Sequence, residues 1–150
     1  MEELIRERLA SGGSVSFSPK GTSMLPMLRT AGDSVTLVPP PARIKKGTVA
    51  LFVSKQDEGR SFTLHRLVRI KNGEYYFCGD RCPECDPPVR REDIIGCVSE
   101  YVSRGKKRGV NEPWYRFYSF WMVHTSGIRR FSMKVQERIY SLWRRLFRRR

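Results

Sequence analysis

Three short segments carry side chains that could do chemistry together. The first is Gly21-Thr22-Ser23-Met24-Leu25-Pro26-Met27-Leu28, followed by Gly32-Asp33. A serine hydroxyl is a weak nucleophile until a base takes its proton and a turn exposes its oxygen. Gly21 lets the backbone turn tightly, and Pro26 disfavours a helix through the segment. The second is Thr63-Leu64-His65-Arg66-Leu67-Val68-Arg69-Ile70. On a strand, His65, Leu67 and Arg69 share one face and Leu64, Arg66 and Val68 the other. Histidine is the side chain best suited to accept a hydroxyl proton near neutral pH. The other histidine, His124, lies in the basic C-terminal region. The third is Phe77-Cys78-Gly79-Asp80-Arg81-Cys82-Pro83-Glu84-Cys85-Asp86. Either Asp80 or Asp86 could orient His65 and stabilise its protonated form. Taken singly, the segments also fit a surface loop, a structural strand histidine and a Gly-Asp turn.

The same third segment offers a rival chemistry. Cys78, Cys82 and Cys85, with Cys97 further on, could supply four thiolates to zinc. The spacing has only one close pair and is partly right for that role. A redox-sensitive thiol pair is another use, and reduced cysteines in a loop is the favoured one. No cofactor is expected.

In their order, these blocks resemble the signal peptidase I superfamily, which includes the LexA-like self-cleaving repressors. The likeness runs through Gly21–Pro26, Gly32-Asp33, Lys46-Gly47-Thr48-Val49, Leu64–Val68, Gly79-Asp80 and Asp93-Ile94-Ile95-Gly96, over roughly residues 15–102. The resemblance implies that Ser23 is the nucleophile. Most bacterial members use lysine as the base; His65 at this position is similar to the endoplasmic-reticulum and archaeal type. In that subgroup an aspartate beyond the Gly-Asp block is implicated. This implies Asp86 as the orienting acid, with Asp80 structural or auxiliary. The implied reaction is acyl transfer from a peptide, after small residues, with backbone N–H groups near Ser23 holding the oxyanion. The chain departs from the family in having Arg81 where asparagine is usual. It also shows no N-terminal membrane anchor and no helix-turn-helix before Ser23.

Several elements must position these residues. Residues 2–10 read as a short amphipathic helix stopped by Ser11-Gly12-Gly13. From Val15 to about Tyr101 the texture is β, with runs at Val15–Phe17, Ser34–Val38, Val49–Val53, Phe62–Ile70, Tyr75–Cys78 and Ile94–Val102. Breaks fall at Pro39-Pro40-Pro41, Lys46-Gly47, Asp57-Glu58-Gly59, 71–74 and Cys82–Pro88. Asn72-Gly73 between two such runs predicts a hairpin. The expected fold is mainly β: a signal-peptidase/LexA-like antiparallel domain over 1–103, then a basic helical extension over 104–150. Residues 103–113 read as a linker.

The chain has 150 residues and a net charge of +14. Residues 104–150 hold 14 basic residues and only two acids, Glu112 and Glu137, so an anionic partner is expected there. Ile128, Phe131, Val135, Ile139, Leu142 and Leu146 recur at helical spacing, widened by Trp143 and Phe147, and the chain ends Arg148-Arg149-Arg150. With Trp114 and Trp121, this suits a helix lying on an anionic membrane surface through residues 114–150. Nucleic acid is the weaker alternative, since bulky apolar residues interleave the arginines. The charged Met1–Ala10 segment is unlike a signal peptide. No run approaches the roughly 20 apolar residues of a membrane span. The expected location is therefore cytoplasmic, peripheral at the inner face of the membrane. The function expected is a serine endopeptidase acting on a peptide or exported precursor. The alternative is a catalytically silent membrane- or nucleic-acid-binding module on the same fold.

Overall fold

The computed structural model describes residues 2–30, 32–56 and 59–147, without the side chains of residues 55, 56, 59, 60 and 142–147. The expected break at Asp57-Glu58 and the terminal Arg148-Arg149-Arg150 lie outside the described residues, as do the side chains of Leu142, Trp143, Leu146 and Phe147.

Helix α1 spans Glu2–Ala10. Seven strands follow: β1 Val15–Phe17, β2 Ser34–Val38, β3 Val49–Gln56, β4 Gly59–Lys71, β5 Glu74–Cys78, β6 Ile94–Ser103 and β7 Lys106–Gly109. Two helices close the chain, α2 Pro113–His124 and α3 Ser126–Phe147. The strands form one antiparallel sheet in the order β1-β2-β6-β3-β4-β5, with β7 also on β6. The β6 strand pairs with β2 on one side; on the other it pairs first with β3 and then with β7.

Strand alternation builds two cores. Val49, Leu51 and Val53 face a cluster with Leu9, Met24, Met27, Leu28, Leu64 and Tyr115. Ala50 and Phe52 point the other way, to Leu67, Phe77, Ile94 and Cys97. Both faces of β3 are thus covered, which is why it reads as an unbroken apolar run.

Two hairpins use two-residue turns. Asn72 and Gly73 both have positive φ (52° and 78°) between β4 and β5, the mirror-image turn that matches strand twist. Arg104 and Gly105 (54° and 72°) make the same turn between β6 and β7. Residues 103–113 therefore include the β6–β7 hairpin turn and strand β7, and are not the expected linker. The α2 helix is also part of the fold: Tyr115, Ser119 and Met122, four and three residues apart, are buried on one face.

Candidate active site

His65 sits on β4 opposite Ala50 of β3, and its side chain is nearly buried. Asp86 comes from the segment after β5. That segment runs antiparallel along β5, bridging Cys78 to Cys85 and Tyr75 to Val89. Its Pro87-Pro88 pair cannot donate to a ladder, so it ends the sheet at this edge. Asp86 N–H donates to Phe77 O at 2.9 Å, which pins the aspartate beside β4. His65 Nδ1 lies 2.6 Å from Asp86 Oδ2. The carboxylate can only accept, so Nδ1 carries the proton and Nε2 is left for other work.

Ser23 lies in the turn between β1 and β2, half-buried, followed by a cis Leu25–Pro26 peptide. Buried Met24, Met27 and Leu28 anchor this turn in the first core. Its carbonyl accepts a 2.8 Å hydrogen bond from Arg81 N–H, tying it to the loop after β5. Ser23 and His65 line one cavity of about 360 Å³, with Phe17, Leu51, Phe62 and Leu64 among its walls. Gly79 explains how the three segments approach. A β-carbon there would lie 2.5 Å from Cys82 Sγ, 2.8 Å from Ser23 O and 3.0 Å from His65 Nε2. Only glycine leaves room for this crossing.

Asp80 does not reach His65. It is buried and takes a bidentate pair from Arg66, with Nε and Nη2 each at 2.8 Å. Tyr118 O–H also donates to Asp80, at 3.0 Å. Arg66 is 1% exposed and spends its remaining donors on Gly47 O (3.0 Å), Ser119 Oγ (3.0 Å), Tyr115 Oη (3.3 Å) and Met27 Sδ (3.2 Å). Burial disfavours the charge, but Asp80 raises the guanidinium's pKa further. This network joins β4, the loop before β3, the loop after β5 and α2 directly behind the His65 side of the sheet. Sequence reasoning missed Arg66; an arginine between Leu64 and Leu67 in an apolar strand was the available signal. It also missed Cys82 as a neighbour of His65.

The electrostatics of His65 are lopsided. Burial pushes its pKa down, but the hydrogen bond to Asp86 and the neighbouring Cys82 sulfur outweigh that and raise it to about 9. Asp33 belongs elsewhere. Burial works to raise its pKa, but hydrogen bonds from the Arg29 side chain and N–H, with Arg104 N–H and Ser103 Oγ, hold it at about 2. It clamps the β1–β2 connection onto the β6–β7 turn.

The cysteines do not form a common site. Cys97 lies in the second core, paired with Val38 and Ala50, whereas Cys78 and Cys85 bridge each other at the sheet edge and Cys82 lies against Gly79. Among the described residues, no group of three or more His, Cys, Asp or Glu side chains is arranged to hold a metal ion. The zinc set Cys78, Cys82, Cys85 and Cys97 is thus not assembled.

No protein-family model, no curated protein and no solved structure matches this chain. Its chemistry therefore rests on its own geometry.

Proposed function

We propose that the protein is a serine peptidase of the signal-peptidase type, with Ser23 as nucleophile, His65 as base and Asp86 as orienting acid. The observation that carries this reading is the 2.6 Å His65–Asp86 pair at the wall of the cavity that holds Ser23. His65 Nε2 takes the Ser23 Oγ proton as the oxygen attacks a peptide carbonyl. The imidazolium, held by Asp86, returns the proton to the leaving amine. Water activated by the same nitrogen then releases the acyl group. Asp80 is a positioning residue that fixes Arg66 and the Gly79 loop.

One observation favours a second reading of the nucleophile. Cys82 Sγ and His65 Nε2 both crowd the space over Gly79, 2.5 Å and 3.0 Å from where a β-carbon would lie, and a thiol beside an imidazole can also attack a carbonyl. Both readings are tested on a fluorogenic peptide library with small residues before the scissile bond. Ser23→Ala and His65→Ala abolish cleavage under the first reading, while Cys82→Ala retains it. The second reading exchanges the roles of Ser23 and Cys82. A wild-type rate in Ser23→Ala sinks the serine mechanism, and a wild-type rate in His65→Ala sinks both readings.

The outer face of the terminal helices supports a membrane-bound substrate. Trp114, Phe117, Phe120 and Trp121 are each more than half exposed although α2 packs inward through its opposite side. Ile128, Phe131, Val135 and Ile139 continue an exposed apolar stripe along α3 among arginines and lysines. Among the described residues no helix is long and apolar enough to cross a membrane. A surface of this kind lies on anionic lipid instead of spanning it.

A further inference from the structure

The reaction above leaves two thiols unused. Cys78 ends β5, and Cys85 lies in the prolyl segment beside it. The Asp86 N–H donates to Phe77 O, one residue after Cys85 and one before Cys78. That pattern makes Cys78 and Cys85 a non-hydrogen-bonded antiparallel pair. Such pairs bring α-carbons to about 4.5 Å, the closer of the two antiparallel spacings. A disulfide spans α-carbon separations of roughly 4.4–6.8 Å. The two side chains leave the same face of the bridge.

Their surroundings are unequal. Cys85 is half-buried and receives a 2.8 Å hydrogen bond from Arg130 Nη1 of α3. Cys78 is 4% exposed, and its sulfur faces the Glu84 carbonyl at 3.3 Å. The neighbouring Cys78 thiol favours the Cys85 thiolate; burial opposes it and the Arg130 charge assists. The closeness of Cys85, with burial, keeps Cys78 protonated. One thiol is thus accessible and activated, and the other is shielded behind it. Attacking and resolving thiols need this division.

We propose that Cys78 and Cys85 form a redox-active dithiol that reduces small-molecule disulfides, with Arg130 as the residue that activates Cys85. The Cys85 thiolate attacks one sulfur of RSSR, breaking its S–S bond and releasing RS⁻. The Cys78 sulfur then attacks Cys85 in the mixed disulfide. This forms the Cys78–Cys85 bond and expels the second RS⁻, and the Cys78 proton goes to a released thiolate. One disulfide is reduced as one is formed. Cys97 serves as an internal control, because burial pushes its thiol up to about 11.

The full-length reduced chain is exposed to glutathione disulfide, free thiols are capped with N-ethylmaleimide, and tryptic peptides are analysed by mass spectrometry. Cleavage after Arg81 separates residues 72–81, holding Cys78, from 82–90, holding Cys82 and Cys85. The expected product links these two peptides, and fragmentation between Cys82 and Cys85 places the bond on Cys85. The link persists in Cys82→Ser. Absence of the link in the wild type, or a bond to Cys82 or Cys97, overturns the proposal. Arg130→Gln should slow iodoacetamide alkylation of Cys85 at pH 7 by about threefold or more, as its thiolate fraction falls. An unchanged rate removes Arg130 from the site.

Discussion

His65 is held by opposing influences, and the balance sets how it can work. Burial alone would keep the ring neutral, but the Asp86 carboxylate and Cys82 raise its pKa to about 9. A base must be neutral to accept a proton. The acid limb of kcat/KM should therefore rise with pH through about 9, as read from a pH–rate profile of peptide cleavage. In Asp86→Asn the limb should move down towards the ordinary histidine value of 6.5, and cleavage should fall roughly 10³-fold or more because the imidazole loses its orienting anion. A wild-type limb near 6.5 would show that Asp86 does not act on the ring. Arg66 makes a separate prediction. Its pair with Asp80 is buried, and removing one partner leaves an uncompensated charge. Arg66→Met should lower stability by about 3–5 kcal/mol in urea unfolding, far more than an exposed ion pair is worth.

At the scale of elements, α2 has two apolar faces with different duties. Tyr115 and Ser119 cover the Arg66–Asp80 pair, and Tyr115 also packs in the first core. Trp114, Phe117 and Trp121 point outward. Replacing Trp114 and Trp121 with serine should leave thermal unfolding nearly unchanged, since neither side chain is in the core. The same change should weaken sedimentation of the full chain with anionic phosphatidylserine vesicles at low salt. Equal binding by the double variant would exclude this face as the contact. The element boundaries show where local chemistry suffices. Asn72-Gly73 was readable as a hairpin because both residues tolerate positive φ. The Arg104-Gly105 turn was not, because arginine rarely adopts that region and the surrounding Lys106, Lys107 and Arg108 looked like a solvated run. The pairing of β7 with β6 settles the conformation there.

The whole molecule is closed by its C-terminal third. Residues 104–150 contribute a strand to the sheet and, through Tyr115 of α2, a side chain to the first core. A chain ending at Ser103 should unfold far below the melting temperature of the full protein, because Arg66 and Asp80 would lose Tyr115, Tyr118 and Ser119. Circular dichroism on heating checks this; an unchanged melting temperature would mean that residues 1–103 are self-sufficient. Asp33 governs the acid side of stability. Its folded pKa is about 2 against 3.8 when unfolded, so its contribution is present above 3.8 and is lost as pH falls towards 2. Asp33→Asn should remove that contribution, making stability between these values less dependent on pH.

Much of this was legible in the residues themselves. Short apolar runs punctuated by proline, glycine and Asn-Gly marked α1 and most strands, because burial on alternating faces and turn conformations are local demands. Ser23, His65, Asp80 and Asp86 stood out as chemically competent groups for the same reason. Which aspartate meets the histidine was a matter of tertiary structure. Asp80 turns inward to satisfy a buried guanidinium, while the prolyl segment along β5 carries Asp86 to Nδ1. Gly79, Arg66 and the Cys78–Cys85 pair owe their roles to contacts between residues distant in sequence or turned back on a sheet edge. Those contacts depend on strand order and register, which composition and spacing do not contain.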